Sequence, residues 1–232
     1  MIKELKYNFE MLSKGVFFIE LGFLFGILAF VVSGSLKEGV LSLILNGPYS
    51  DIFISRYFLL VSYVSVMMLP YFVTSETIMY EKISGRIEQL LVNGFKPFSY
   101  FWGSALTVFI LNEIMLFILF SEFYIFRFYF FPGISVIYLI EPLVAISIFS
   151  FGLSNFVCAV VLKIKKVDLI KGFLFVIPYI LVFGGNNLIT KIKPEYNIGL
   201  LLGTAAIGLL LFALSILIMR NINNESIVLT IP

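Results

Sequence analysis

Six times along its 232 residues the chain runs for close to 20 positions almost without charge. The runs cover 16–36, 57–75, 101–120, 137–162, 173–190 and 198–219. A helix needs roughly 20 mostly apolar residues to cross a bilayer, where no water is present to satisfy exposed backbone. Composition points the same way. Charged residues make up 13% of the chain and hydrophobic ones 60%, whereas soluble domains carry about 25% charged residues. So little charge cannot cover the exterior of a soluble domain of this size. The expectation is a single all-α integral membrane domain over 1–232, with six transmembrane helices. The opening residues lack the short apolar core and small-residue cleavage site of a signal peptide, so the first run is expected to remain as a span. Glu141-Pro142 suggests that the fourth helix starts near the proline, which favours a first turn. Pro178 and Gly184-Gly185 predict a kink or break in the fifth.

Six spans place both ends of the chain on one side, and the distribution of Lys and Arg decides which. With the N-terminus inside, eleven of the 16 basic residues fall on inner segments, and the outer ones hold five: Lys37, Arg56, Arg127, Lys191 and Lys193. The expected location is therefore the cell membrane, with both termini cytoplasmic. Ile2, Leu5, Phe9 and Leu12 share one helical face in 1–14, which reads as an amphipathic helix lying on the inner surface. The aromatic run between 121 and 135, interrupted by Glu122 and Arg127, reads as an interfacial belt rather than a span. Lys163, Lys165 and Lys166 read as an anchor at the inner headgroups.

Several chemistries are excluded at this level. There is no His, which removes the commonest general base and metal ligand. The lone Cys158 cannot form an intrachain disulfide. A net charge of +2 is too small to suggest nucleic-acid binding. Inside the spans, Glu20 and Glu113 are the conspicuous residues, because a charge at mid-membrane is costly and marks an intramembrane polar site. Glu20 lies near the inner interface. Glu113 is deeper, and either lines a polar route or is hydrogen-bonded to a neighbouring helix. Gly22-x3-Gly26 in the first span and Gly199-x3-Gly203 in the sixth permit close helix packing, the first pair being the candidate for dimer packing.

The segment 76–99 carries the most information. Glu76, Glu81, Lys82, Arg86 and Glu88 concentrate charge there, while Ile83, Ile87, Leu90 and Leu91 form an apolar stripe at helical spacing. Gly85 is expected to break or bend the helix, and Asn93-Gly94 is a turn or C-cap signal. The physical reading is a helix leaving the membrane, a bend, and a short helix at the cytoplasmic surface, which either docks a soluble partner or rests on lipid.

The string Glu76-x4-Glu81-Lys82-x2-Gly85-x2-Glu88-Gln89-Leu90-Leu91, with Gly103-Ser104 following, resembles the signature of the type 2 ABC-transporter permeases. That family shows a Glu at the end of the second span, an E-(R/K)-x-x-G-T-(L/I)-E-x-L-L run and a Pro shortly after. The match is dense over about 30 residues, and six spans with an N-terminal amphipathic helix agree with the family along the whole chain. Arg86 stands where Thr is usual, and Asn93-Gly94 where a Thr-Pro-like pair is usual. The resemblance implies that this segment is a coupling helix fitting a groove on a separate ABC ATP-binding subunit. It would place Glu76, Glu81, Gly85, Arg86, Glu88, Leu90 and Leu91 at that coupling site. It also implies a second permease copy, as a homodimer or related heterodimer, with the first span in the dimer interface.

The chain has no G-x-x-x-x-G-K-[ST] motif, so no phosphate-cradling loop is available. It is expected to be a transport subunit and not an enzyme, without a cofactor of its own, ATP and Mg sitting on the partner. The function that follows is export of an amphipathic substrate: a drug, an antimicrobial peptide or a lipid-linked molecule. The short outer loops favour a drug or peptide. The alternative is a membrane carrier without an ATPase, or a membrane-bound immunity factor.

Overall fold

The structure is a computed structural model, which describes residues 6, 10, 50–94, 96–130, 133–164, 176 and 193–222. Among these residues all regular structure is helical. Helix α1 is Ser50–Thr74, continued by a π-helical turn at Ser75–Met79 and by α2, Tyr80–Ile83. Helix α3, Arg86–Val92, is followed by α4 at Pro97–Phe130 and α5 at Ile137–Lys163. A 3-10 turn, Pro194–Tyr196, leads into α6, Asn197–Arg220. Four stretches are long and apolar enough to cross a membrane: Ser50–Pro70, Pro97–Tyr129, Ile137–Lys163 and Pro194–Arg220. They correspond to the second, third, fourth and sixth expected spans. The first and fifth, with Glu20, Gly22, Gly26, Pro178 and Gly184-Gly185, lie outside the described residues. So does most of 1–14, where Lys6 and Glu10 are helical and their side-chain charges stand 3.9 Å apart.

The helix boundaries differ from the sequence reading in three places, each for a local reason. α1 begins at Ser50 with Asp51 in its first turn, where an acid suits the positive end of the helix dipole. That start brings Arg56 into the helix, although the sequence reading placed it in an outer loop. α4 starts at Pro97, a residue preorganised for a first turn, and runs without a break to Phe130. At 1.5 Å per residue such a helix is about 50 Å long, well beyond the roughly 30 Å hydrocarbon core. The aromatic run from 121 is thus continuous with the helix of the third expected span, with Tyr124, Phe128 and Tyr129 exposed. α5 starts at Ile137, not at Pro142. Its first turn is launched by bonds from the N–H groups of Tyr138 and Leu139 to the carbonyls of Ser135 and Val136, and Pro142 lies inside the helix.

α5 is the centre of the bundle and packs against α1, α4 and α6. Its tightest neighbour is α6. A Cβ on Gly152 would overlap the Gly208 carbonyl, and one on Gly208 would come within 2.6 Å of the Ile148 carbonyl oxygen. At that crossing the two backbones touch with no side chain between them. The Gly199-x3-Gly203 pair does no such work among the described residues, where a Cβ at either position would meet nothing within 4 Å. The sixth span is closely packed through a different glycine.

Helix directions follow from paired contacts. The Arg56 guanidinium donates from Nε to Asn197 Oδ1 at 3.2 Å and from Nη2 to the Lys193 carbonyl at 2.8 Å. Two turns along both helices, the Tyr63 hydroxyl donates to Thr204 Oγ1 at 2.6 Å. α1 and α6 therefore run parallel and in step. Tyr63 meets Phe149 and, further along both segments, Lys82 meets the Val161 carbonyl, so α5 runs parallel to α1 and hence to α6, which it touches through Phe151 and Phe212. α4 runs the opposite way, with Phe120 and Phe123 against Phe58, and Phe109 against Phe151. Lys163 and Lys193 consequently sit at opposite ends of the bundle.

Candidate functional site

α1 does not stop at the end of its apolar stretch. Pro70 removes one helical hydrogen bond, and the hydroxyls of Thr74 and Thr77 donate back to the carbonyls of Pro70 and Val73, the pattern that bends a helix. The π-turn that follows holds the backbone of Glu76. α2 then ends at Gly85, whose φ of +71° lies in the left-handed region that favours glycine. Nothing crowds that position, since a Cβ there would meet Glu88 Oε2 at 3.9 Å; backbone conformation is what reserves it. α3 runs from Arg86 to Val92 and ends before Gly94, at φ +79°. The bend at Gly85 and the turn at Asn93-Gly94 both fall where the sequence placed them.

The elbow formed by α2 and α3 is fastened to two spans. Glu81 is fully buried. The Tyr100 hydroxyl, from the first turns of α4, donates to its Oε2, and Arg86 Nε lies 3.4 Å from its Oε1. Lys82, beside it, is also buried, and its ammonium donates to the carbonyls of Val161 at 2.9 Å and Ile164 at 3.0 Å. Those carbonyls belong to the last turn of α5, where helical acceptors have no intrahelical partner and the dipole favours a cation. Burial pushes the Lys82 ammonium down to about 8. Ile87 is buried in the core and Leu90 packs partly against it.

The residues predicted for coupling thus divide. Glu81 and Arg86 close on each other inside the chain, Gly85 sets the bend, and Leu90 faces the spans. Glu88 is half-buried. The outward surface belongs to residues that the sequence reading did not assign to coupling: Tyr80, Gln89, Val92, Asn93, Lys96 and Phe98, with Val92 at 85% exposure. Leu91 is part of α3. Lys82 and Tyr100 were missed as fasteners. Lys82 carried a readable signal, because it lies four residues after Ile78, on the face that Ile78 buries.

A second polar group sits midway along α4. The Ser147 hydroxyl of α5 donates to Glu113 Oε2 at 2.9 Å, while Oε1 has no hydrogen-bond partner among the described residues. Asn112, next to it, donates from Nδ2 to Ser154 Oγ at 3.4 Å. Glu113 is therefore hydrogen-bonded to a neighbouring helix and retains one free acceptor. Among the described residues no three acidic or thiol side chains converge on a point that would hold a metal ion. Set against known protein families, curated proteins and solved structures, the chain matches none of them.

Proposed function

We propose that this chain is the membrane subunit of an ATP-driven ABC exporter in the cell membrane. It would work beside a second copy or a related chain, and with separate ATP-binding subunits that hold ATP and Mg. The observation that carries the reading is the elbow at 75–94. A span prolonged beyond the bilayer turns at a left-handed glycine into a short helix, which offers an exposed tip and is fastened behind to α4 and α5. A push on that tip reaches two spans through Glu81–Tyr100 and Lys82–α5, without passing through loose chain. The parallel run of α5 and α6 adds support, since Lys163 and Lys193 stand at opposite ends of the bundle, as a further crossing between them requires. Six spans with both termini cytoplasmic fit that arrangement. ATP-driven closure of the partner subunits would draw the elbows together, shift the spans and release an amphipathic substrate outward.

The test is to purify the protein from its native membrane in mild detergent and ask whether an ATPase accompanies it. The expected result is a stoichiometric ATPase that is lost in Gln89→Arg and Val92→Asp, which alter exposed positions, and weakened in Glu88→Arg. Leu90→Asp with Leu91→Asp is a harsher variant, because Leu90 also packs against the spans. No ATPase with the wild-type protein overturns the reading. Full retention in every variant overturns the assignment of the tip as the docking surface.

A further inference from the structure

α4 is too long for its length to say where along it a bilayer sits. Its charges say more. Lys96, just before the first turn, is exposed, and so is Glu122 near the other end. Between them the helix carries one charged residue, Glu113, which Ser147 holds. On α5 the exposed Glu141 and Lys163 bound a stretch without any charge, about 33 Å along the axis. A bilayer moved two turns toward Phe130 would draw Glu122 and Arg127 into hydrocarbon. Moved the other way, it would draw in Lys96 and Lys163. A charge in that region is costly, so the position is pinned from both sides.

Aromatic rings mark the same interval. Near the elbow, Phe98 is 53% exposed and meets Trp102 edge-on, with ring centroids 6.0 Å apart. Trp102 packs against Phe101 at 5.4 Å and reaches Phe212 of α6 at 6.2 Å, so the cluster is held by two helices. Toward the other end of α4 stand the exposed rings of Tyr124, Phe128 and Tyr129. Trp102 and Tyr124 are about 33 Å apart along the axis, close to the roughly 30 Å of a hydrocarbon core. Indole and phenol rings favour the headgroup level, where one edge is apolar and the other wet. The elbow shares the level of the first cluster. Tyr100, two residues before Trp102, donates to Glu81, and Lys82 reaches the last turn of α5 beside Lys163.

We propose that Phe98 and Trp102 form a contact with the phospholipid headgroup layer that seats the elbow on the membrane surface, with Tyr124 at the opposite headgroup layer. The bilayer is then a partner of the joint: lipid sets its height, and the Trp102–Phe212 contact passes that height to α6. The inference rests on the chain crossing a bilayer and not on any ATPase.

Trp102 is the chain's only tryptophan, so the wild-type protein carries its own probe. The experiment reconstitutes the full chain in phosphatidylcholine vesicles whose acyl chains are brominated near the headgroup, midway, or near the chain ends, and measures quenching of tryptophan emission. Bromines near the headgroup are expected to quench Trp102 about twofold more than those near the chain ends, as an interfacial ring requires. In a Trp102→Phe background, Phe98→Trp and Tyr124→Trp should give the same shallow profile. Ile114→Trp in that background, midway between the two levels, should be quenched most by bromines near the chain ends. Strongest quenching of Trp102 by the deepest bromines overturns the proposal. So does an absence of quenching at both Trp102 and Phe98→Trp, or a shallow profile for Ile114→Trp. None of these outcomes bears on whether an ATPase accompanies the chain.

Discussion

Two of the places where the protein encloses ionisable side chains are treated differently. At the elbow, Glu81, Lys82 and Arg86 are closed against one another, against Tyr100 and against the end of α5. Midway along α4, Glu113 has one oxygen held by Ser147 and the other left without a donor among the described residues. The first arrangement fixes a shape. The second leaves an acceptor unmet. Closing a polar cluster suits a joint that must transmit motion without slack, because each unmet partner would be a place to yield.

Substitutions should separate the two regions by stability. Lys82→Ala is expected to cost most, about 3 kcal/mol, since it strips charge-assisted bonds from buried carbonyls at the end of α5; reversible denaturation in micelles would measure it. The pH dependence comes next. Lys82 titrates near 8 in the fold against an ordinary 10.5. Between those values the unfolded chain binds more protons than the folded one, so stability rises as pH rises through the window. Lys82→Met should flatten that slope. Glu81→Gln keeps an acceptor for Tyr100 and loses the ion pair to Arg86, whose side chain is 38% exposed; about 1 kcal/mol is expected. Gly85→Ala should cost slightly less, from the left-handed backbone alone. Glu113→Gln should change stability least, by under about 0.5 kcal/mol, because it keeps an acceptor for Ser147. A large loss there, or none at Lys82, would erase the contrast between the two regions.

Much of the elbow was legible because its signals are local. A glycine inside a charged helical run and an Asn-Gly pair announce backbone conformation within a few residues. The fasteners behind it were less legible. Tyr100 meets Glu81 across 19 residues and Lys82 meets Val161 across 79, distances over which no pattern in the chain signals a contact. The glycines teach the same lesson. Gly199-x3-Gly203 has the spacing of a packing motif and faces open space, while Gly152 and Gly208, isolated in sequence, carry the closest helix contact. Where helices cross is set by the whole bundle, and a motif only permits it. Arg56 was misplaced for a related reason. Its charge argued for a loop, but the Lys193 carbonyl and Asn197 satisfy it inside the helix.

The Gly152–Gly208 crossing has a mechanical corollary. Two helices whose backbones meet at one crossing can be pressed no closer there, so relative motion of the pair turns about that crossing. Gly152 lies about 16 Å along the axis from the Lys163 end of the helix and about 22 Å from the Ile137 end, at 1.5 Å per residue. The contact therefore divides α5 into unequal arms. Lys82 grips the shorter one, so rocking about the crossing would reappear at the Ile137 end with its sign reversed and enlarged by about a third.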